Sequence, residues 1–360
     1  MIKLNIGIFV LMLLLLLLDI PYNTALPLQQ LHVLFRHGER SPTETYPNDP
    51  YINHTWPDGW GYLTNTGKLQ MYSLGMTIKN QYKHFIQDTY WPKDINISSS
   101  YSDRCKMSGQ LFCAGMFPPT GEQIWNDDLL WQPIPINYLP RSEDITIAMK
   151  AKCGKYDEQL KEARVSPKIL ELEAAHHDLF EYLTKHTGKH ISNIEDVEFL
   201  FNTLEIEGLN NMTLPDWVNQ SMLATMEKLA ARNLALYSET EYMKRMKGGV
   251  FVKTVISSME RISEGQSEPY LNLYAGHDIT LVHVLRALKL TDTIKPGFGA
   301  SLILELYSDG EIKVIYRNSW DGSPENMSLH HCSPPCQISA FRKSLESVLP
   351  LNWAEECNLE

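Results

Sequence analysis

A histidine bracketed by two arginines is the part of the sequence best suited to chemistry. The mostly apolar run at residues 31–35 leads directly into Arg36, His37 and, three positions later, Arg40. A neutral imidazole can attack phosphorus once its other ring nitrogen donates its proton to a neighbouring acceptor. Arginine stays charged at any useful pH, and its forked donors match phosphate oxygens two at a time. The sequence therefore predicts a nucleophile, His37, beside a pocket for a phosphoryl group.

Two later segments supply residues of the same kind. Asp103 follows a serine-rich segment and is placed to cap a helix whose first turn contains Arg104, where amide groups and the helix dipole favour an anion. His277 and Asp278 follow a second apolar run, at residues 271–275, and a carboxyl there can protonate a leaving alcohol and later activate water. Because an ordinary aspartate has a pKa of about 3.9, we expect activity to be strongest in acid unless the pocket raises that pKa.

The string Arg-His-Gly-x-Arg-x-Pro that begins at Arg36 resembles the signature of the histidine acid phosphatases, a family of prostatic, lysosomal and insect venom type. The likeness extends over residues 31–357 and is loosest in the helical middle of the chain. It implies hydrolysis of phosphate monoesters through a phosphohistidine at His37, with Asp278 as proton donor and with no metal or other cofactor. The residues that the resemblance implies for binding the substrate phosphate are Arg36, Arg40, Arg104 and His277.

The fold must bring these segments together, because His37 and His277 are about 240 residues apart. Ligands of open α/β sheets bind at the carboxyl ends of the strands, and each motif follows a predicted strand. We therefore expect an α/β core with an open, mostly parallel sheet flanked by helices, as in phosphoglycerate mutases, that ends in a β-hairpin at residues 298–317. A further helix is predicted at residues 64–82. Its expected inward side chains are Leu69, Tyr72, Met76 and Ile78.

A helical segment interrupts the predicted core. Between residues 141 and 247, charged residues alternate with Leu, Met, Phe and Ala at helical spacing. This pattern predicts a smaller helical cap, 141–247, inserted between two parts of an α/β core, 26–140 and 248–360. The segment also contains four histidines, but Gly188 interrupts their only i, i+4 pair, so solvated histidines are expected there rather than a metal site. These histidines are His176, His177, His186 and His190.

The first 25 residues have the layout of a secretory signal peptide, with Lys3, an apolar run and a small-residue stretch that ends at Ala25. The apolar run, about thirteen residues, is too short to span a bilayer comfortably, so no stable membrane anchor is expected. We expect a product of the secretory pathway that is secreted, with the lysosome as the alternative destination. The net charge of -11 argues against a nucleic-acid partner and requires that an anion site be a local positive pocket.

Two sequence features suit an oxidising secretory compartment. Cys332 and Cys336 flank Ser-Pro-Pro and can close a small loop, whereas Cys105 and Cys113 would lie about 12 Å apart on one helix and are expected to be buried free thiols. The resemblance implies that Cys153 pairs with Cys357. Predicted N-glycosylation sites, each in an Asn-x-Ser/Thr sequon, are Asn53, Asn96, Asn211, Asn219 and Asn326.

Two other functions compete with a general acid phosphatase that takes a small phosphomonoester. One is an enzyme of the same superfamily with a narrower substrate, such as a phytase or a lysophosphatidic acid phosphatase. The other is a catalytically silent secreted or venom protein that kept the fold. The intact nucleophile, acid and arginines favour an enzyme. Relatives are often dimers, which makes a homodimer one expected assembly, although the sequence identifies no interface.

Overall fold

A computed structural model describes residues 27–357 of the chain. The predicted signal peptide, residues 1–25, lies outside the described residues. Within 27–357, no helix combines the length and the apolar character needed to cross a membrane.

The described strands form one seven-stranded sheet in the order β3-β2-β4-β1-β5-β6-β7. The strands are β1 (Leu28–Arg36), β2 (Ile95–Ser99), β3 (Asn137–Tyr138), β4 (Leu271–Gly276), β5 (Ser301–Tyr307), β6 (Ile312–Arg317) and β7 (Glu325–Asn326). The strands β3, β2, β4 and β1 run parallel to one another, and β5, β6 and β7 continue the sheet with antiparallel pairing. The expected open, mostly parallel sheet is confirmed.

Helices flank this sheet and fill the middle of the chain. They are α1 (Asn65–Gln81), α2 (Asp103–Met116), α3 (Gly154–Arg164), α4 (Pro167–Ala175), α5 (His177–Thr187), α6 (Ile194–Leu209), α7 (Gln220–Leu236), α8 (Glu241–Met246), α9 (Gly248–Ser263), α10 (Asp278–Ala287), α11 (Ile338–Ser344) and α12 (Trp353–Glu356). Two short 3-10 helices are Gly121–Gln123 and Glu346–Val348.

Strand β1 is apolar on both faces because helices cover both sides of the sheet. Leu34 belongs to one apolar cluster, which includes side chains of α9, α10 and α11. Val33 and Phe35 belong to another on the opposite face, where Phe35 stacks on Phe112 of α2 at 4.4 Å between ring centroids. A strand buried on both faces reads in sequence as a continuous hydrophobic run, which is why residues 31–35 predict it well.

The prediction of the inward face of α1 was wrong for three of its four residues. Leu69 is 64% exposed, Tyr72 39% and Met76 43%, whereas Ile78 is buried as expected. The helix instead turns Met71, Leu74 and Ile78 toward its neighbours, together with Gly75. A side chain at Gly75 would lie 2.1 Å from the carbonyl oxygen of Phe112 in α2, so glycine is what lets the two helices pack closely.

The helical segment between β3 and α8 has an apolar cluster of its own, formed mainly by α4, α5, α6 and α7. The division into a core and a cap at residues 141–247 stays a prediction. The disulfide Cys153–Cys357 ties the start of α3 to the end of α12, and Cys332–Cys336 closes the short loop. Both cysteine pairs named above are thus bonded, and within the described chain Cys105 and Cys113 are buried free thiols.

The sequon asparagines differ in their exposure. Four of them are exposed: Asn53, Asn211, Asn219 and Asn326. Asn96 is half-buried in β2, and its side-chain amide lies 3.4 Å from the side-chain oxygen of Asn272 on β4. Glycosylation stays a prediction at all five sites, and Asn96 is the least accessible of them.

A buried carboxyl pair should make the fold more stable in acid than at alkaline pH. Glu207 of α6 is 1% exposed, and burial together with the neighbouring carboxylate of Asp49 raises the pKa of Glu207 to about 8. An unfolded glutamate has a pKa of about 4.3, so this contribution to stability is complete below that pH and is lost as the pH rises through 8. We expect Glu207→Gln to raise the melting temperature at pH 8 and to change it little at pH 4.

Thermal unfolding followed by circular dichroism at both pH values measures this effect. The matched control is Glu158→Gln, which changes an exposed glutamate of α3. At pH 8 the Glu207 variant should be more stable than wild type by at least about 1 kcal/mol, the equivalent of roughly one pH unit of pKa shift. An equal change at both pH values would show that Glu207 does not titrate as described.

Candidate active site

The candidate active site lies where β1 and β4 end side by side. The two strands pair in parallel, with Arg36 opposite Gly276 in the register. The amide of His37 continues this pairing by donating to the carbonyl oxygen of Gly276 at 3.1 Å. His277 directly follows β4, and the imidazole rings of His37 and His277 lie 5.6 Å apart between centroids. Parallel pairing thus brings the two motifs, distant in sequence, to one edge of the sheet.

Gly38 is needed for close packing against another part of the backbone. A side chain at Gly38 would lie 2.3 Å from the carbonyl oxygen of Gly67, and a side chain at Gly67 would lie 1.9 Å from the carbonyl oxygen of Glu39. Neither contact is tolerable, so the loop after β1 and the first turn of α1 require glycine at both positions. This mutual contact fixes the course of the chain on either side of His37 and Arg40.

His37 is held as a neutral imidazole. Its Nδ1–H donates to the carbonyl oxygen of Gly38 at 2.9 Å, which leaves the lone pair on Nε2 free to attack. The side chain is only 2% exposed. Burial and the nearby charges of Arg104 and Arg36 lower the pKa of His37 well below its ordinary value, so the ring stays unprotonated in mildly acidic solution.

Three arginines surround His37 with unused donors. Arg36 is 1% exposed and Arg40 is 7% exposed, while Arg104, in the first turn of α2, is half-buried. The Nε atom of each of the three is buried and has no hydrogen-bond partner in the described part of the chain. Burial and the other two arginines lower the pKa of Arg40 to about 10, which still leaves it charged. Buried donors without partners are costly, so three of them at one place indicate a site built for an anion.

Asp278, the first residue of α10, forms an ion pair with Arg36, with 2.8 Å between Oδ2 and Nη2. The other terminal nitrogen of Arg36 donates to the carbonyl oxygen of Pro296 at 2.6 Å, and the guanidinium stacks over Phe298 at 4.1 Å. Burial alone would raise the pKa of Asp278, but the positive charge of Arg36 outweighs it and holds the pKa well below its ordinary range. The pocket therefore lowers this pKa, and Asp278 is ionised when no ligand neutralises Arg36.

His277 is fixed by contacts on both ring nitrogens. Nε2 lies 2.9 Å from the hydroxyl oxygen of Ser100, and Nδ1 lies 3.4 Å from Nη2 of Arg104. Because Arg104 can only donate, Nδ1 accepts and Nε2 carries the proton that is donated to Ser100. Burial and Arg104 lower the pKa of His277 to about 3. The buried thiol of Cys105 packs against the same ring at 3.5 Å from Nε2.

A cavity of about 260 Å³ opens beside these groups. The motif residues on its wall are Arg40, Arg104, His277 and Asp278. The opposite wall comes from the helical segment and from the connections next to it, and includes Tyr101, Lys150, Glu195, Glu198, Phe199, Asn202 and Tyr237. All six motif residues singled out in the sequence are therefore brought together at one cavity or directly next to it.

Several residues that position these groups are not indicated by any sequence motif. Ser100 belongs to the serine-rich segment before Asp103. The sequence shows that this segment is unusual, but it does not indicate that a serine there contacts His277. Pro296 and Phe298 hold Arg36 from the connection that precedes β5, and nothing in their spacing indicates that contact. Helix α2 begins at Asp103 with Ser102 as its N-cap, one residue earlier than expected, and Asp103 pairs with Lys106 at 2.7 Å.

Comparison with known sequences identifies related proteins. Residues 27–323 match the sequence profile described as "Histidine phosphatase superfamily (branch 2)". Prostatic acid phosphatase of Bos taurus is 32% identical over 333 residues, which cover 90% of this chain and 86% of that protein. Lysosomal acid phosphatase of Homo sapiens is 30% identical over 348 residues, which cover 94% of this chain and 82% of that protein.

Comparison with solved structures identifies the same fold. A Hafnia alvei phytase in complex with myo-inositol hexakis sulphate superimposes with a TM-score of 0.70, over 93% of this chain and 99% of that one. Its sequence is 15% identical, so the likeness is one of fold alone. A phytase from Citrobacter braakii superimposes with a TM-score of 0.69 at 16% identity, over 92% of this chain and 99% of that one.

Proposed function

The chain belongs to branch 2 of the histidine phosphatase superfamily, and from this premise we propose how it hydrolyses phosphate monoesters as an acid phosphatase. The observation that carries the proposal is the set of three arginines, grouped around a neutral histidine, whose buried Nε donors have no partner within residues 27–357. An anion with several oxygens satisfies these donors together, and a tetrahedral phosphoryl group has the required charge and shape.

In the first step, the lone pair on Nε2 of His37 attacks phosphorus. The N–P bond forms while the P–O bond to the alcohol breaks, and the leaving oxygen takes a proton from Asp278. Arg36, Arg40 and Arg104 stabilise the charge on the three equatorial oxygens during this transfer. The Nδ1–H bond to Gly38 keeps the ring in the tautomer and orientation that the attack requires.

The ionised state of Asp278 in the free site leaves the source of its proton to be explained. A phosphomonoester has a second pKa of about 6, so in mild acid the substrate is a monoanion that still carries a proton. We propose that this proton passes to Asp278 as the phosphoryl group binds Arg36, because the bound anion neutralises the charge that depressed the carboxyl pKa. Activity then falls as the substrate loses its proton, above about pH 6.

In the second step, water attacks phosphorus, Asp278 accepts the proton of that water, and the N–P bond to His37 breaks to release phosphate. His277 binds the transferring group as well. A bound anion draws Arg104 away from Nδ1 of His277 and raises the pKa of the ring, so that a protonated His277 can donate to a phosphoryl oxygen. Apart from the substrate and water, these steps use only residues of the chain.

We extend the proposal to destination and assembly. Four exposed sequon asparagines and two disulfides support passage through the secretory pathway and secretion, with the lysosome as the alternative. A homodimer is proposed from the resemblance to relatives that dimerise. Sedimentation of the purified protein measures the assembly, and a monomer at all concentrations would contradict the proposed homodimer.

Hydrolysis of a chromogenic aryl phosphate between pH 4 and pH 8, with excess chelator present, tests the proposed activity. We expect chelator-resistant turnover that is highest in acid and declines above about pH 6, as the substrate monoanion disappears. Repeating the profile with an aryl phosphate of lower second pKa should move the decline to lower pH. Turnover that requires a metal would overturn the mechanism. If activity falls at the same pH for both aryl phosphates, the proposed proton source is wrong.

A further inference from the structure

The wall of the cavity that faces the arginines carries carboxylates. Glu195, Glu198 and Asn202 lie on one face of α6, at the i, i+3 and i+7 spacing that keeps side chains on the same side of a helix. The phosphoryl group occupies the arginine side, so the rest of a substrate must extend toward this helix. The side chains of α6 therefore contact the alcohol portion, which differs from one phosphomonoester to another.

The two glutamates differ in how their charge is compensated. Glu195 pairs with Arg164 at 2.9 Å and accepts a hydrogen bond from the hydroxyl of Tyr237 at 2.7 Å. Glu198 forms no ion pair with another described residue: its Oε2 accepts from the side-chain amide of Asn233 at 2.5 Å, and its Oε1 lies 3.5 Å from the amide of Asn202. Oε1 therefore keeps most of its capacity to accept a hydrogen bond, and the charge of Glu198 is not neutralised by its direct partners.

We propose that Glu198 is the specificity-determining residue of this site and that it selects substrates by contacting their alcohol portion. It accepts a hydrogen bond from a hydroxyl or ammonium group there and repels a second phosphate. The preferred substrates are then phosphomonoesters whose alcohol carries donors and no further phosphate. Highly phosphorylated compounds should be poor substrates. This inference rests on the proposed acid phosphatase activity and adds a substrate preference to it.

Charged groups from several elements face Glu198 and set the pH range of this selection. They are Asp278 of α10, Lys295 before β5, Tyr237 after α7, Glu195 of α6, and Arg40, Arg104 and Lys150 on the cavity wall. Lys295 is engaged by Glu205 at 2.8 Å. Burial, helped by the charge of Asp278, raises the pKa of Glu198 to about 7. The repulsion is therefore weak at pH 5 and strong at pH 8, while acceptance from a donor is also strongest at pH 8.

Three phosphate esters with the same three-carbon chain test the proposal. They differ only in the group at the far end of the chain, which is an ammonium, a hydroxyl or a second phosphate. The measured quantity is the ratio of kcat/KM for the hydroxyl ester to that for the bisphosphate, in wild type and in Glu198→Gln. At pH 8 the variant should lower this ratio about tenfold, as expected for loss of one charge in a partly solvated pocket. At pH 5 the two proteins should differ by less than about twofold, because Glu198 is then protonated.

The controls separate charge from structure. Glu198→Asp keeps the carboxylate and should keep the wild-type ratio, and Glu227→Gln removes an exposed carboxylate from α7 outside the cavity and should do the same. The ammonium ester should respond in the opposite direction to the bisphosphate. Equal ratios in wild type and Glu198→Gln at pH 8, with turnover intact, would overturn this inference alone. No turnover of any ester by wild type would overturn the proposed function and this inference with it.

Wild-type protein alone provides a second measurement, independent of how the variants fold. Two competitive alkylphosphonates that share the phosphonate and end in a hydroxyl or a carboxylate differ only at the group that meets Glu198. The inhibition constant of the carboxylate compound, divided by that of the hydroxyl compound, should rise severalfold between pH 5 and pH 8, with a midpoint near 7. A ratio that does not change over this range would also overturn the proposal.

Discussion

Replacement of His37 by alanine should abolish turnover, with a loss of about four orders of magnitude or more in kcat for every ester. The imidazole forms the covalent bond to phosphorus in the proposed mechanism, and no other described side chain at the cavity offers a neutral nucleophile held at one nitrogen by a backbone carbonyl. Steady-state hydrolysis of an aryl phosphate measures the loss. The arginines remain in the variant, so it should still bind inorganic phosphate.

The intermediate itself can be trapped. Wild type quenched in alkali during turnover of a labelled ester should retain label, because phosphohistidine is stable in base and labile in acid, and His37→Ala should retain none. His84→Ala, which changes an exposed histidine after α1, is the matched control and should behave as wild type. Label retained by the alanine variant would place the nucleophile elsewhere.

Replacement of Asp278 by asparagine should have an effect that depends on the leaving group. Asparagine cannot supply a proton, so an alkyl ester, whose alkoxide is a poor leaving group, should lose about 10² to 10⁴ in kcat. An aryl ester with an acidic phenol should lose about tenfold or less, since its phenoxide leaves without protonation. Measuring kcat over a series of esters should give a steeper dependence on leaving-group pKa in the variant than in wild type.

The same variant has a second readout at Arg36. Asp278 is the ion-pair partner of Arg36, at 2.8 Å, so its neutralisation frees the guanidinium for the ligand. Inhibition by inorganic phosphate should therefore become stronger in Asp278→Asn. Asp157→Asn, at an exposed position of α3, serves as control. A uniform loss of kcat over all leaving groups, with unchanged phosphate inhibition, would contradict both roles of Asp278.

Sequence patterns predicted the fold where burial on both faces of the sheet leaves an unambiguous apolar run. The strands β1 and β4 are of this kind: β4 was expected to within one residue, whereas β1 begins three residues before its predicted apolar run. The inward face of α1 was not, since Leu69, Tyr72 and Met76 are exposed, whereas Met71 and Leu74 are buried. Apolar residues occur at helical spacing on both faces of this helix, so hydrophobic periodicity does not decide between them. The close backbone contact at Gly75, which depends on the absence of a side chain, does.

The motif residues could be named from sequence because their types carry the chemistry, but their protonation states could not be predicted. The ordinary pKa of an aspartate suggested that Asp278 itself limits activity at higher pH. The structure places Arg36 against this carboxyl and lowers its pKa, so the source of the proton had to be sought in the substrate. Glu198 likewise has no sequence signature, because its role follows from which face of α6 borders the cavity.

The strand order has a consequence for the synthesis of the chain. In the finished sheet β1 lies between β4 and β5, and β2 lies between β3 and β4, yet β4 is translated about 170 residues after β2 and about 235 after β1. Until β4 has been translated, the edges of β1 and β2 that later pair with β4 remain unpaired. Such apolar strand edges can associate with other chains. We therefore expect the nascent chain to expose association-prone strand edges over most of its translation, and the site is complete only after His277 and Asp278 have left the ribosome.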